Sequence, residues 1–242
     1  MAHEIIDGTY RQTNLPNESA EYLAKREELR LAEIELRNQR EKVAMLRRQL
    51  PPGAIVEDYE FVEGPASLDE GDAPTNKVRL SELFTAPNRA LVIYQFMYGK
   101  KQTTPCPMCT AWIDSFNGVA HHLAQNIDLA IVAAADLPTL RAHGRKRSWD
   151  KLRLLSAGES TFKYDLGNED REGNQDSTIS IFTLEQGTVR HFYSVHPRLG
   201  PNIQTRGIDE YNPIWNILDL TPQGRGKFDA SLDYGTTVRY HT

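Results

Sequence analysis

Cysteine is almost absent from this chain: 2 residues in 242. That excludes the dense disulfide framework that staples small secreted domains. Long hydrophobic runs are missing too. No window approaches the roughly 18 uncharged apolar residues of a membrane span. The opening Met1-Ala2-His3-Glu4-Ile5-Ile6-Asp7 has neither the positive nor the apolar segment of an export signal. Charge of one sign is not in excess. Lys and Arg number 28 against 33 Asp and Glu, a net −5 that argues against nucleic acid as a partner. Gly224-Arg225-Gly226 lacks the strand and helix that would make it a phosphate loop. No flavin or haem motif is present, so no cofactor is expected. These absences lead to an expectation of a cytoplasmic protein with one sizeable core, or a core plus an appendage.

What is present is concentrated. The two cysteines sit three apart, in Pro105-Cys106-Pro107-Met108-Cys109. An apolar run, Ala90 to Met97, precedes them, and an amphipathic run with Trp112, Ile113, Phe116, Val119 and Leu123 follows. Strand, loop, CxxC, helix is the layout of a thioredoxin-type redox site. A helix N-terminus stabilises a thiolate, so Cys106 is the expected nucleophile and Cys109, one turn on, the resolving thiol. Lys100 and Lys101 add positive charge nearby. In a reducing compartment such a pair points to catalysis or to metal, not to a structural bond.

The rest of the chain supports that layout. Residues 18–50 are rich in helix formers and free of Gly and Pro, with Asn17 or Ser19 as the cap. Tyr22, Leu29, Leu36, Val43 and Leu50 recur every seven residues. This stripe predicts a long helix packed on its own domain, in preference to dimerisation through a short, half-polar seam. Strands are expected at 59–62, 78–80, 90–98, 127–135 and 152–155. Helices are expected at 106–125, at 136–146 capped by Asp136, and at 211–218. A hairpin is expected at 178–193 around Glu185-Gln186-Gly187. The prediction is an α/β chain: an arm and long helix over residues 1–53, then a thioredoxin-like core over 54–242, a central mixed sheet flanked by helices.

A non-enzymatic zinc or copper site is the alternative use of the same thiols. Zinc needs four ligands, and His191 with His196 would have to join Cys106 and Cys109 by folding. A half-buried strand histidine with a backbone partner is the simpler expectation for His191. His121 and His122 lie about three turns down the helix, too far to contribute.

Several stretches resemble domain-of-unknown-function family 899. They are Phe96-Met97-Tyr98-Gly99, Cys106-Pro107-Met108-Cys109 with Trp112 and Asp114, Phe162-Lys163-Tyr164-Asp165, His191-Phe192-Tyr193-Ser194, and Tyr211-Asn212 with Leu218 to Arg225. The helix ending Arg47-Arg48-Gln49-Leu50-Pro51 is similar to that family's leading helix. The resemblance implies a thioredoxin-like fold and a dithiol–disulfide oxidoreductase with Cys106 and Cys109 as its redox pair. It implies no substrate. Lys163 departs from the Asn usual in the Phe-Asn-Tyr-Asp motif. Arg145 to Trp149 departs from Arg-Met-Gly-Trp, and Val195 to Gly200 follows the family only in part. Thioredoxins also place a cis-proline before the hairpin, facing the cysteines. Here Asn174 to Thr178 has none, so the backbone at Ser177-Thr178 takes that place.

Polar residues inside these motifs are the candidate supporting set: Asp114, Tyr164, Asp165, His191, Tyr193 and Arg225. Asp114 is a potential proton acceptor for the resolving thiol. Arg225 would bind a substrate carboxylate or pin the C-terminal tail. Expected partners are a thiol reductant or a disulfide-bearing substrate, with no nucleic acid or membrane. Two other readings stay open. One is a peroxide reductase oxidised at Cys106, although Lys100 holds the proline position of that signature while Thr103 fits. The other is an interaction protein dimerising through its first helix.

Overall fold

The computed structural model describes residues 15–233. The chain divides between Pro51 and Pro52 into two units.

The first unit holds helix α1, Ala20–Arg48. Of the two candidate caps, Ser19 is the one used. It is extended, and its Oγ accepts from the Tyr22 amide at 3.1 Å. Glu21 in the first turn and Arg47 and Arg48 in the last complement the helix dipole. Arg30 bonds Glu27 and Lys25 bonds Glu28 across single turns. No residue of α1 is buried.

The second unit is built on one seven-stranded sheet, ordered β2-β1-β5-β4-β3-β6-β7. Its strands are β1 (Glu60–Glu63), β2 (Asn76–Arg79), β3 (Ala90–Phe96), β4 (Ile127–Ala133), β5 (Arg153–Ser156), β6 (Ile179–Glu185) and β7 (Thr188–Val195). β3, β4 and β5 run parallel. β6 returns antiparallel to β3, and β7 pairs antiparallel with β6. Helices α2 (Pro107–Leu123) and α3 (Leu137–Arg147) make the crossovers, and α5 (Pro213–Leu218) follows the hairpin. This is a thioredoxin-like core. β1 and β2, one beside the other, extend it past β5.

Alternation along β3 fixes the two faces. Tyr94 and Phe96 pack with Trp112 and Ile113 of α2, Leu140 of α3 and Trp215 of α5. Leu91 and Ile93 point the other way, to Phe61, Leu80, Phe182 and Phe162. Phe162 opens α4 (Phe162–Asp165), a single turn that lay outside the sequence-based expectation. Residues 80–83 form one turn. It is a 3₁₀ turn capped at Arg79, where the Glu82 carboxylate accepts from the Arg79 amide at 2.7 Å.

One irregularity decides the geometry of the hairpin. A register shift between Ile181 and Phe182 opposes Tyr193 to Ile181 but His191 to Phe182. Residues two apart on a strand ordinarily share a face. Here Tyr193 packs with the Trp112 cluster, while His191 meets Phe182, of the other cluster, ring to ring at 5.7 Å.

Candidate functional site

The strand-to-helix junction is tightly held. Gly99 N donates to Gln102 O at 2.7 Å and Gln102 N returns to Gly99 O at 2.9 Å. Ala135 N donates to Tyr98 O at 2.9 Å and Cys106 N to Met97 O at 3.2 Å. Gly99 is required: its φ is +107°, and a Cβ there would meet the Ala135 amide nitrogen at 2.0 Å. Cys106 then caps α2, extended at φ −62°, with Pro107 in the first turn. Its Sγ accepts from the Cys109 amide at 3.4 Å.

Both thiols are free. Cys106 is half-buried and Cys109 only 2% exposed. Cys109 lies within hydrogen-bond reach of Cys106, the Tyr94 hydroxyl, the Met97 amide and the Ser177 hydroxyl. The Cys106 thiol is the largest influence, and with the other three donors it outweighs burial and draws Cys109 down to about 6. Cys106 is pushed up, first by sharing its hydrogen with Cys109, then by burial. The pair therefore carries one proton and one negative charge between two sulfurs. The Tyr94 hydroxyl is held protonated by burial and by the neighbouring Cys109 charge.

Ser177 occupies the place the sequence assigned to it, just before the hairpin and against the cysteines. The loop is fixed there by Gln95 N donating to Thr178 O at 2.9 Å. Above Cys106 opens a cavity of about 430 Å³. Met97, Met108, Trp112, Ile208 and Trp215 make its walls, and Arg198, Arg206 and Arg225 its polar edge. Trp215 packs on Trp112 at 5.9 Å and Phe228 on Trp215 at 6.1 Å.

The other candidates disperse. Asp114 accepts from Trp149 Nε1 at 2.8 Å and forms a close ion pair with Arg147. It bolts the end of α3 to α2. Asp165 accepts from Tyr59 Oη at 3.1 Å and Thr161 Oγ1 at 2.6 Å. Burial and then that carboxylate push Tyr59 up to about 12. Tyr164 is exposed, its hydroxyl beside Arg171 Nε at 3.4 Å. His191 bonds Ser194 Oγ at 2.7 Å, Ser194 bonds Ser180 Oγ at 2.8 Å, and Ser180 Oγ accepts from Gln95 Nε2 at 3.1 Å. That polar chain belongs to the Phe182 side of the sheet. His196 lies 3.4 Å from Asp176, which is in close ion contact with Arg198. His191 and His196 therefore do not join the cysteines. Among the described residues no group of three or more His, Cys, Asp or Glu is arranged to hold a metal ion. Arg225 does line the cavity, and its guanidinium is committed to Asp209 and, bidentately, to Asp219 at 2.9 and 2.5 Å. Tyr193 shares the cysteines' face of the sheet.

Three residues near the thiols carry no sequence signal of a role. Tyr94 hides in an apolar strand. His143 packs edge-on to Trp149 at 5.1 Å and bonds Thr110 Oγ1 at 3.2 Å. Burial lowers it to about 4, so it is neutral. Lys163 was marked only as a motif departure, and it is 1% exposed.

A family model described as "bacterial protein of unknown function (DUF899)" matches residues 12–241. The chain belongs to this family. Within this DUF899 chain the matched stretch takes in both cysteines, Lys163 and the whole sheet. No curated protein matches it. Among solved structures it is similar to reduced Prx3 of Vibrio vulnificus in complex with hydrogen peroxide. Identity is 17%, over 64% of this chain and 90% of that one, with a TM-score of 0.44. It is also similar to Mycobacterium tuberculosis AhpC (17%, 67% and 89%, TM-score 0.45). A third is the Plasmodium falciparum antioxidant protein, a 1-Cys peroxiredoxin (15%, 67% and 98%, TM-score 0.47). Among the described residues no helix is long and apolar enough to cross a membrane.

Proposed function

We propose that this DUF899 chain is a dithiol–disulfide oxidoreductase in which Cys106 attacks and Cys109 resolves. The observation that carries the reading is the placement of the two sulfurs at the start of α2. One sulfur faces a cavity while its partner, one turn deeper, is surrounded by donors from three separate segments. As Cys106 attacks an RS–SR substrate, its proton passes to Cys109 along their hydrogen bond. The substrate S–S bond breaks and the first RS⁻ leaves, taking a proton from solvent. Cys109 then gives up its proton, its thiolate held by Tyr94, the Met97 amide and Ser177. It attacks the Cys106 sulfur, expels the second RS⁻ and closes the disulfide. A thiol reductant returns two electrons to restore the pair.

The cavity walls favour a small substrate with a bulky apolar body over a polar one. An apolar hydroperoxide suits the same walls and gives the second reading. Cys106 would take the terminal oxygen and release ROH. Cys109 would then displace the resulting sulfenic acid oxygen as water.

Cys109→Ser is expected to trap a stoichiometric mixed disulfide with an aromatic disulfide, and Cys106→Ser none. The wild-type pair should titrate reversibly with two electrons between about −120 and −270 mV. An aromatic disulfide should turn over faster than oxidised glutathione. A sulfenic acid captured by dimedone in Cys109→Ser would favour the peroxide reading. Thiols that form no disulfide, in protein carrying one equivalent of metal, would overturn both.

A further inference from the structure

Lys163 is the most deeply buried charged side chain among the described residues. It sits in the single turn of α4, where Phe162 turns into the core on one side and Tyr164 out to solvent on the other. Its Nζ donates to Phe96 O at 3.1 Å and Asp176 O at 3.3 Å. No carboxylate bonds it. A buried ammonium with only two neutral acceptors is costly unless something nearby compensates.

Both carbonyls lead to the dithiol. Phe96 C=O and Met97 N–H are two ends of one peptide group, and that N–H lies close enough to the Cys109 thiol to favour its charged form. Asp176 precedes Ser177, whose hydroxyl reaches the same sulfur. A cation on the oxygen end of a peptide polarises it and strengthens the N–H at the other end. We propose that Lys163 is the positioning charge of the dithiol: through the Phe96–Met97 peptide its ammonium holds Cys109 as the thiolate, and the two groups ionise as one unit. This rests on the oxidoreductase reading only for its consequence in turnover.

The surroundings agree. Burial drives Lys163 down to about 7, and the Cys109 charge is the foremost influence opposing it. Glu169 opposes it as well, and Lys100, which is ion-paired to Glu169, acts with burial. The Asp176 carboxylate is taken by Arg198 and His196. Coupling is reciprocal, so what the thiolate does for the ammonium the ammonium does for the thiolate. With Cys109 at about 6, ammonium and thiolate coexist between about pH 6 and 7. Oxidation there removes the thiolate and, with it, the reason for the ammonium. The balance is then (SH)(S⁻)(NH₃⁺) + RSSR → (S–S)(NH₂) + 2 RSH. Cys106 supplies one product proton and Lys163 the other, by way of solvent.

The test compares Lys163→Met with Lys163→Gln, which keeps a neutral donor for the carbonyls. The pH dependence of iodoacetamide alkylation reads the first thiolate. In both variants it should move up by about half a unit or more, an approximately threefold loss of thiolate at the foot of the curve. If Gln titrates like the wild type and only Met moves, Lys163 is a mere clamp and the proposal fails. It also fails if neither moves. In the wild-type protein, the ¹³Cε resonance of Lys163 should titrate at higher pH when reduced than when oxidised; equal values overturn the coupling. This arm needs no variant to fold. Neither arm needs turnover, so thiols that titrate as described but catalyse nothing would sink the oxidoreductase reading and leave this one standing.

Discussion

A single thiol here has three kinds of support, and each can be removed. Tyr94 gives a hydroxyl to Cys109 from a fully buried position. Tyr94→Phe keeps the ring against Trp112 and deletes only the donor. One hydrogen bond to a charged group contributes about 1.5 to 3 kcal/mol. The Cys109 titration should therefore rise by roughly a unit, read as slower alkylation at pH 6 with full rates regained by pH 9. An unchanged alkylation profile would remove Tyr94 from the site. Residues of this kind are the ones a linear reading loses. Cys106, Cys109 and the Asp136 and Ser19 caps were legible because spacing and local chemistry define them. Tyr94 and Lys163 act across the fold, and nothing in Leu-Val-Ile-Tyr or Phe-Lys-Tyr-Asp says which way a side chain will face. His191 misled for a related reason. Alternation put it beside Tyr193, and a one-residue register shift sent it to the other face.

At the level of elements, the β3–α2 junction tolerates little change. Gly99→Ala would drive a methyl into the Ala134–Ala135 backbone from a positive-φ position. The junction has to shift, and Cys106 shifts with it. A loss of at least about 2 kcal/mol is expected in a urea melt, together with faster alkylation of Cys109 as its cover opens. A stable protein with unchanged thiols would show the junction to be pliable. Helix α1 lies at the opposite extreme. Every buried side chain among the described residues falls at Tyr59 or later. A chain starting at Pro52 should keep its dithiol titration within about 0.2 unit of the full-length value. A larger shift would tie α1 to the site. The order of strands and helices was readable from periodicity. The single turn of α4 was not, since four residues are too few to show a helical period.

For the whole molecule, burial and charge combine into one pH dependence. Cys109 in the folded state is drawn to about 6, below an ordinary thiol. A depressed acid contributes stability that is full above its unfolded pKa and lost as pH falls through the folded one. Lys163 falls to about 7, so the unfolded chain binds more protons between there and about 10.5. Its sign is the same: stability rises with pH across that window. The reduced protein should gain several degrees in Tm between pH 6 and 9, and Lys163→Met should flatten the upper part of that rise. A Tm that falls over this range would contradict both shifts.

Phe96 lies 67 residues before Lys163 and Asp176 only 13 after it, so the fold has to bring α4 back against the end of β3. While the polypeptide is still being synthesised, Cys106 and Cys109 are complete before α4 exists. On the proposed coupling they titrate as ordinary thiols over that interval. Their reactivity, on the same coupling, waits until α4 and Asp176 have folded against β3.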